Sequence, residues 1–261
     1  NVNEIAEFDI EQILKHMISK GLKPGTVDRI RQTISAIFNI GIYHEKCKEN
    51  PASISRNDKV SIMRRNKKNI NNDRERYISK SEAEQMLHEL RLRDETVYLM
   101  ALMALTTGAR AGEILSIKFK DIDYYSGFIT LDNTKNGYSR KIKMTPEVHK
   151  LIEARHQDKA NQYLFKTKNN TKLDKIPQTY FTVVEKLFNK DLETSDSKNR
   201  VVFHTLRHTF ASWLALDGVP IFTIQKLMGH KDINMTMRYA KLSPDAGVEA
   251  VMNIERSLVG G

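Results

Sequence analysis

The feature that most constrains the fold is a basic, asparagine-rich stretch at residues 56–76, which has no periodic apolar face. It holds eight basic and three acidic residues, a net +5 out of the chain's total of +10. Such a segment cannot join a hydrophobic core, so it is expected to connect two folded units, although a solvated surface loop would have the same composition. The sequence predicts a helical unit at 1–62, a basic linker at 63–76 and a larger unit at 77–261.

The first unit shows helical periodicity. An early helix near Asp9 to Lys20 is expected, with apolar side chains at Ile13, Leu14, Met17 and Ile18. A second helix is expected to start near Pro24, with an apolar stripe spaced mostly three and four residues apart: Val27, Ile30, Ile34, Ile37, Phe38 and Ile42. Asn50-Pro51 then ends the pattern.

The second unit is expected to be mainly α-helical with one small antiparallel sheet. Ser79 and Glu82 have the spacing of a capping box, and the almost wholly apolar segment 97–105 predicts a buried helix. Residues 128–131 and 140–144 predict two short strands joined by a tight turn at Asn136-Gly137. A helix is expected after Thr145-Pro146, and further helices near 178–189, 205–216, 220–228, 232–239 and 244–256.

Charge and cysteine content bear on partners and compartment. The net charge of +10 and a pI of about 9.5 favour encounter with polyanions, although charge alone is equally typical of an ordinary basic protein. The single cysteine, Cys47, excludes an internal disulfide and fits a reducing cytoplasm. The sequence has no apolar run long enough to span a bilayer and no recognisable signal peptide, so no membrane partner is expected.

Two motifs offer positive charge. Arg110, in Thr107-Gly108-Ala109-Arg110, follows the predicted buried helix, and Glu113 lies three residues on, on the same helical face. A guanidinium there can bind two phosphate oxygens at once, but the pair can equally be an ordinary surface ion pair. Lys135 lies at the predicted hairpin tip, where a lysine is usually only solvated.

Two further motifs hold histidines and a tyrosine. His204, Arg207 and His208 share one side of a predicted helix. The histidine spacing suits zinc, but no third ligand is near and the intervening arginine would repel a cation, so no metal site is expected. His230 follows the helix-ending Gly229, and Tyr239 comes nine residues later. Tyr239 by itself would more often be a structural tyrosine.

Together these motifs resemble the active-site signature of the tyrosine recombinase, or phage integrase, family. The resemblance runs from about Tyr77 to the end of the chain, and the earlier helices resemble the family's core-binding domain. Ala109 and Met228 depart from its usual residues, a larger apolar residue and a leucine. The matching residues, in order, are Arg110, Lys135, His204, Arg207, His230 and Tyr239.

The resemblance implies a helical core-binding domain, a tyrosine-recombinase catalytic domain, and strand cleavage through a 3′-phosphotyrosyl intermediate without metal or cofactor. Tyr239 would be the nucleophile and His204 the acceptor of its proton, while Lys135 would protonate the leaving 5′-oxygen. Glu113 would orient Arg110. The non-bridging phosphate oxygens would be bound by Arg110, Arg207 and His230.

The resemblance also implies partners. Double-stranded DNA is expected, bound in part by linker residues Arg64, Arg65, Lys67 and Lys68. A homo-tetramer on two DNA sites is expected, joined by the helix after Tyr239, with accessory DNA-bending proteins as candidate partners. The alternatives are a type IB topoisomerase-like enzyme and a catalytically silent DNA-binding factor on the same fold.

Overall fold

The computed structural model describes residues 2–53, 76–133, 138–155, 160–193 and 196–244. The chain divides into two compact units, Asn1–Arg74 and Glu75–Gly261. The boundaries predicted for the linker remain a prediction, because residues 54–75 lie outside the described part. None of the helices in the described ranges is both long and apolar enough to cross a bilayer.

The first unit is built on two packed helices, α1 (Glu7–Ser19) and α2 (Pro24–Tyr43), after a short 3-10 turn at Val2–Glu4. Both helices lie close to their predicted positions. Their shared core contains Ile10, Leu14, Val27, Phe38 and Cys47.

The apolar stripe predicted for α2 is wrong in part. Ile37 is 63% exposed, and the inward face instead includes Arg31, which is buried. The Arg31 guanidinium donates from Nε to Asp28 Oδ1 over 3.0 Å and from Nη1 to the carbonyl oxygen of Ala52 over 2.9 Å. Because these acceptors compensate the loss of water, a charged residue occupies a position that periodicity alone assigns to an apolar one.

The second unit holds most of the secondary structure. Its helices in the described ranges are α3 (Lys80–Arg93), α4 (Glu95–Thr107), α5 (Ala111–Ser116), α6 (Pro146–Glu153), α7 (Gln178–Val184, continued by a π-helical turn at Glu185–Asn189), α8 (Phe203–Leu216), α9 (Ile221–Met228) and α10 (Asn234–Met237). Short 3-10 turns lie at Phe119–Asp121 and Ala240–Leu242.

The start of this unit confirms two sequence predictions. The Glu82 amide donates to Ser79 Oγ over 3.2 Å and the Ser79 amide donates to Glu82 Oε2 over 2.7 Å, which completes the capping box. Helix α4 is buried on nearly every side, and Asp94 caps it by accepting from the amides of Thr96 and Val97. This helix forms the centre of the large core.

The antiparallel sheet has three strands in the described residues, where the sequence predicted two. They are β1 (Ile122–Asp123), β2 (Phe128–Asn133) and β3 (Tyr138–Lys143), in that order across the sheet. The sequence missed β1 because a two-residue strand has no alternation to detect. The fold class, mainly α with a small antiparallel sheet, is confirmed.

The carboxyl-terminal elements form a small separate cluster. Tyr239 belongs to this cluster together with Ala211 and Ala215 of α8 and Ile224 and Met228 of α9. The predicted helix at 232–239 is shorter than expected, since α10 ends at Met237. The predicted helix at 244–256 begins at the last described residue and otherwise lies outside the described part, as does the hairpin turn at 134–137.

Candidate active site

Arg110 stands where the buried helix α4 turns into α5. Gly108 ends α4 with a φ of +65°, and a Cβ there would come 2.5 Å from the ring of Phe210, so the turn requires glycine. Glu113 then accepts from the Arg110 amide over 2.7 Å and from Arg110 Nη1 over 2.9 Å. The side chain of Arg110 remains one-third exposed. The local fold thus presents a charged guanidinium at the end of a rigid helix.

Arg140, which the sequence analysis did not select, joins this pair from the sheet. Its Nη1 donates to Glu113 Oε1 and its Nη2 to Glu113 Oε2, each over 2.9 Å. Burial alone would raise the pKa of Glu113, but the hydrogen bonds from Arg140 and Arg110 outweigh burial and lower the pKa to about 2. Glu113 is therefore a carboxylate at any physiological pH.

Arg207 is buried and ties the ends of two helices together. Its Nη1 donates to the carbonyl oxygen of Gly108 over 2.5 Å, and its Nη2 donates to that of Met228 over 2.6 Å. Burial, together with the charges of Arg110 and Arg140, lowers the pKa of Arg207 to about 9. It remains a cation at neutral pH, and neither of its two acceptors carries a full negative charge.

His230 lies in the field of these arginines. Burial, with the positive charges of Arg207, Arg110 and Arg140, lowers the pKa of His230 to about 4. The imidazole is therefore neutral at physiological pH. Its Nδ1 lies 2.9 Å from Oγ1 of the buried Thr236, which fixes the ring.

Tyr239 is buried, with its hydroxyl 2.6 Å from Nδ1 of His208. Burial raises the pKa of Tyr239 to about 12 against the opposing charges of Arg238 and Arg207. His204 is exposed, and its imidazole centroid lies 4.8 Å from that of His208 in an edge-on contact. In this arrangement the phenol contacts His208, not the predicted proton acceptor His204.

The structure brings together most of the predicted residues that it describes. Arg110, Glu113, Arg207 and His230 form one electrostatically coupled group, and Tyr239 lies within the field of Arg207. The remaining predicted residues lie outside the described part of the chain: Lys135, Arg64, Arg65, Lys67 and Lys68.

Sequence reasoning missed Arg140, and it named His208 only as part of the possible zinc pair. The sequence did contain an indication of Arg140, because in β3 it lies two residues from the buried Ile142 and therefore on the same face of the strand. A charged residue at an inward strand position requires a buried acceptor. As for zinc, the described residues contain no group of three His, Cys, Asp or Glu able to hold a metal.

The shared carboxylate makes a testable contribution to stability. Because folding lowers the pKa of Glu113 from its usual 4.5 to about 2, the ionised carboxylate stabilises the fold above pH 4.5, and this stability is lost as the pH falls through about 2. Glu113→Gln should cost about 1–2 kcal/mol at pH 7, allowing for solvent screening. The free energies of unfolding of Glu113→Gln and of the wild type, measured by urea titration at each pH, should converge as the pH falls from 4.5.

A matched control is Glu185→Gln, because that carboxylate is 54% exposed and accepts from Arg200 over 2.9 Å. It should change stability by less than about 0.5 kcal/mol. A Glu113→Gln deficit that stays constant down to pH 2 would contradict an arginine-held carboxylate.

Comparison with known proteins gives several relatives. A tyrosine recombinase XerA from Saccharolobus solfataricus is 36% identical over 148 residues, which cover 56% of this chain and 46% of that protein. A shufflon-specific DNA recombinase from Escherichia coli is 26% identical over 251 residues, which cover 93% of this chain and 59% of that protein. The chain thus spans about half the length of these curated relatives.

The fold has counterparts among solved structures. A Tn1549 transposon integrase in complex with circular intermediate DNA matches with a TM-score of 0.71 at 22% identity, over 97% of this chain and 86% of that one. The profile of the phage integrase family matches residues 76–245, which is well over half of the sequence. The chain belongs to the phage integrase family.

Proposed function

We propose that the protein is a site-specific DNA recombinase that cleaves and rejoins strands through a 3′-phosphotyrosyl intermediate. The observation that carries the proposal is a buried tyrosine hydroxyl that contacts His208 over 2.6 Å and lies in the field of Arg207, itself a neighbour of Arg110 and Arg140. Such a cluster suits a phosphodiester, whose non-bridging oxygens gain negative charge during attack. The names of the relatives, which include recombinases and integrases, support the same activity.

In the proposed reaction the Tyr239 oxygen forms a bond to phosphorus as the bond to the 5′-oxygen breaks. Arg110 and Arg207 stabilise the developing charge. If the Thr236 hydroxyl donates to Nδ1 of His230, the proton of the neutral imidazole lies on Nε2 and can be donated to a phosphate oxygen. The 5′-oxygen leaves as a hydroxyl, with Lys135 proposed as its proton donor, and the reverse attack by a 5′-hydroxyl rejoins the strand.

The nucleophile can be tested on DNA that the protein itself selects. Nicked duplexes are made from fragmented genomic DNA of the source organism, and those that form an SDS-resistant complex with the wild-type protein are recovered. One such duplex, the captured duplex, then serves as substrate. Tyr239→Phe removes only the hydroxyl and keeps the ring in its apolar cluster, so DNA binding and folding should persist while the covalent complex disappears.

A Tyr163→Phe variant is the control, since that tyrosine lies outside the cluster around Tyr239. The assignment is wrong if Tyr239→Phe still yields an SDS-resistant complex. Failure of the wild-type protein to capture any duplex would favour the silent DNA-binding alternative. Relaxation of supercoiled plasmid without recombination between two sites would favour the topoisomerase alternative.

The proton of Tyr239 has two candidate acceptors. His208 is the first imidazole in contact with the phenol, at 2.6 Å, and we propose that it receives the proton first. His204, the acceptor implied by the family resemblance, contacts the ring of His208 edge-on. A general base contributes about 10²–10⁴-fold to a rate. We therefore expect His208→Asn to slow cleavage of the captured duplex by at least about 10²-fold at pH 7 and to lose less at high pH.

His204→Asn is the matched variant for His208→Asn, because it makes the same substitution one turn earlier in the same helix. A larger loss in His204→Asn, with His208→Asn close to wild type, would return the role to His204. Single-turnover rates at saturating DNA across pH 6–9 distinguish the two outcomes, since a base defect is relieved where hydroxide removes the proton.

We further propose double-stranded DNA as the substrate, in a homo-tetramer on two sites, with Arg64, Arg65, Lys67 and Lys68 binding phosphates. Accessory DNA-bending proteins and a cytoplasmic location remain predictions from the sequence. Near Tyr239 the described elements expose large apolar side chains, with Phe222 75%, Met237 49% and Leu227 42% exposed. Apolar groups at this density suit a contact with the segment after Ser243 of a neighbouring protomer.

Deletion of residues 245–261 tests the assembly. The truncated protein should keep its thermal stability and its binding to one captured duplex, because the proposed contacts are made to a neighbour. It should lose the complex with two duplexes in native gels and light scattering. A truncated protein that still pairs two duplexes, or one that loses stability because the segment packs on its own domain, would contradict the proposal.

A further inference from the structure

Arg140 occupies a costly position for which the proposed reaction gives no reason. It lies in β3 in phase with buried apolar residues, and its side chain is only 16% exposed. Its Nε is buried without a hydrogen-bond partner among the described residues, so its loss of water is not fully compensated. A residue kept there for stability alone would be replaced at little cost by an apolar one. The position therefore indicates a role in the site.

Arg140 contacts Glu113, and through this shared carboxylate it is linked to Arg110. Both Glu113 oxygens accept from Arg140, and both also accept from Arg110, one from its amide and one from its guanidinium. Without Arg140, the carboxylate would be held only within its own helical turn. When Arg140 also binds the carboxylate, the Arg110 guanidinium is held at a fixed position relative to the sheet.

Arg140 also contacts the main chain of the segment that carries His230. A Cβ added to Gly229 would lie 2.9 Å from Nη1 and 3.0 Å from Cδ of Arg140, so the arginine packs directly on this main chain. Gly229 has a φ of +63° and immediately precedes His230. The same guanidinium therefore sets the position of Arg110 on one side and borders the His230 segment on the other.

We propose that Arg140 is a positioning residue for strand cleavage, which acts through Glu113 on Arg110 and through the main chain at Gly229 on His230. The inference rests on the proposed function. Because both of its terminal nitrogens donate to Glu113, the guanidinium is held by that carboxylate, and its proposed role is to organise the groups around the phosphate. Its loss should slow cleavage of bound DNA and leave affinity nearly unchanged.

The test uses Arg140→Gln on the captured duplex, with Lys141→Gln as control. Lys141 is the next residue of β3, exposed, and its change removes the same charge. At saturating DNA, Arg140→Gln should slow cleavage by more than about tenfold while the Kd changes less than about threefold. Lys141→Gln should cleave at the wild-type rate. An Arg140→Gln rate equal to that of Lys141→Gln, while the wild type cleaves, overturns the inference and leaves the proposed function intact.

A double-mutant cycle separates positioning from direct action. Because part of the proposed action of Arg140 runs through Glu113, adding Arg140→Gln to Glu113→Gln should slow cleavage by a smaller factor than Arg140→Gln does alone. Rate losses that multiply would show that Arg140 acts independently of Glu113 and overturn the pathway. Should Arg140→Gln fail to fold, Arg140→Lys keeps the charge but cannot bind both carboxylate oxygens in the same way. It should show the same rate loss, and a wild-type rate in the lysine variant would contradict the inference.

Discussion

Repulsion between guanidinium groups is the constraint on which the site depends. Arg110 and Arg140 lie close enough to the buried Arg207 to add to the effect of burial and lower its pKa to about 9. The fold tolerates this cluster because Glu113 neutralises part of the charge and because the main chain accepts from Arg207 at the ends of α4 and α9. An incoming phosphate would relieve the remaining repulsion between these guanidinium groups, so the cluster favours binding of an anion.

The same positive field sets the protonation of the other groups. It helps to lower the pKa of His230 to about 4, which makes the ring a neutral hydrogen-bonding group instead of a further cation. At Tyr239 the field opposes burial but does not overcome it, and the phenol keeps a pKa of about 12. The proposed nucleophile is therefore neutral at physiological pH, with its hydroxyl in contact with His208 and its ring in an apolar cluster. In the proposed reaction, its ionisation is coupled to the arrival of the phosphate.

The sequence predicted what depends on local pattern. The capping box at Ser79, the buried helix α4 and the strands β2 and β3 follow from spacing and hydrophobicity alone. The proximity of Arg110, Arg207 and Tyr239 in the folded chain could be predicted only from the family resemblance, since no local pattern links segments so far apart in the sequence. The phase of Arg140 in β3 was a signal that the sequence analysis overlooked, but its partner Glu113 could be identified only from the tertiary structure. The burial of Arg31 was missed for the same reason, as its acceptors include the distant Ala52.

The central claim is that the phenol of Tyr239 leaves His208 and becomes esterified to DNA. The most direct measurement is mass spectrometry of the covalent complex, digested with nuclease and trypsin, to locate the residue that carries the nucleotide remnant. The account predicts a 3′-linked nucleotide phosphate on Tyr239 and on no other residue. A remnant on another side chain, or a stable DNA complex with no covalent remnant at all, would contradict it.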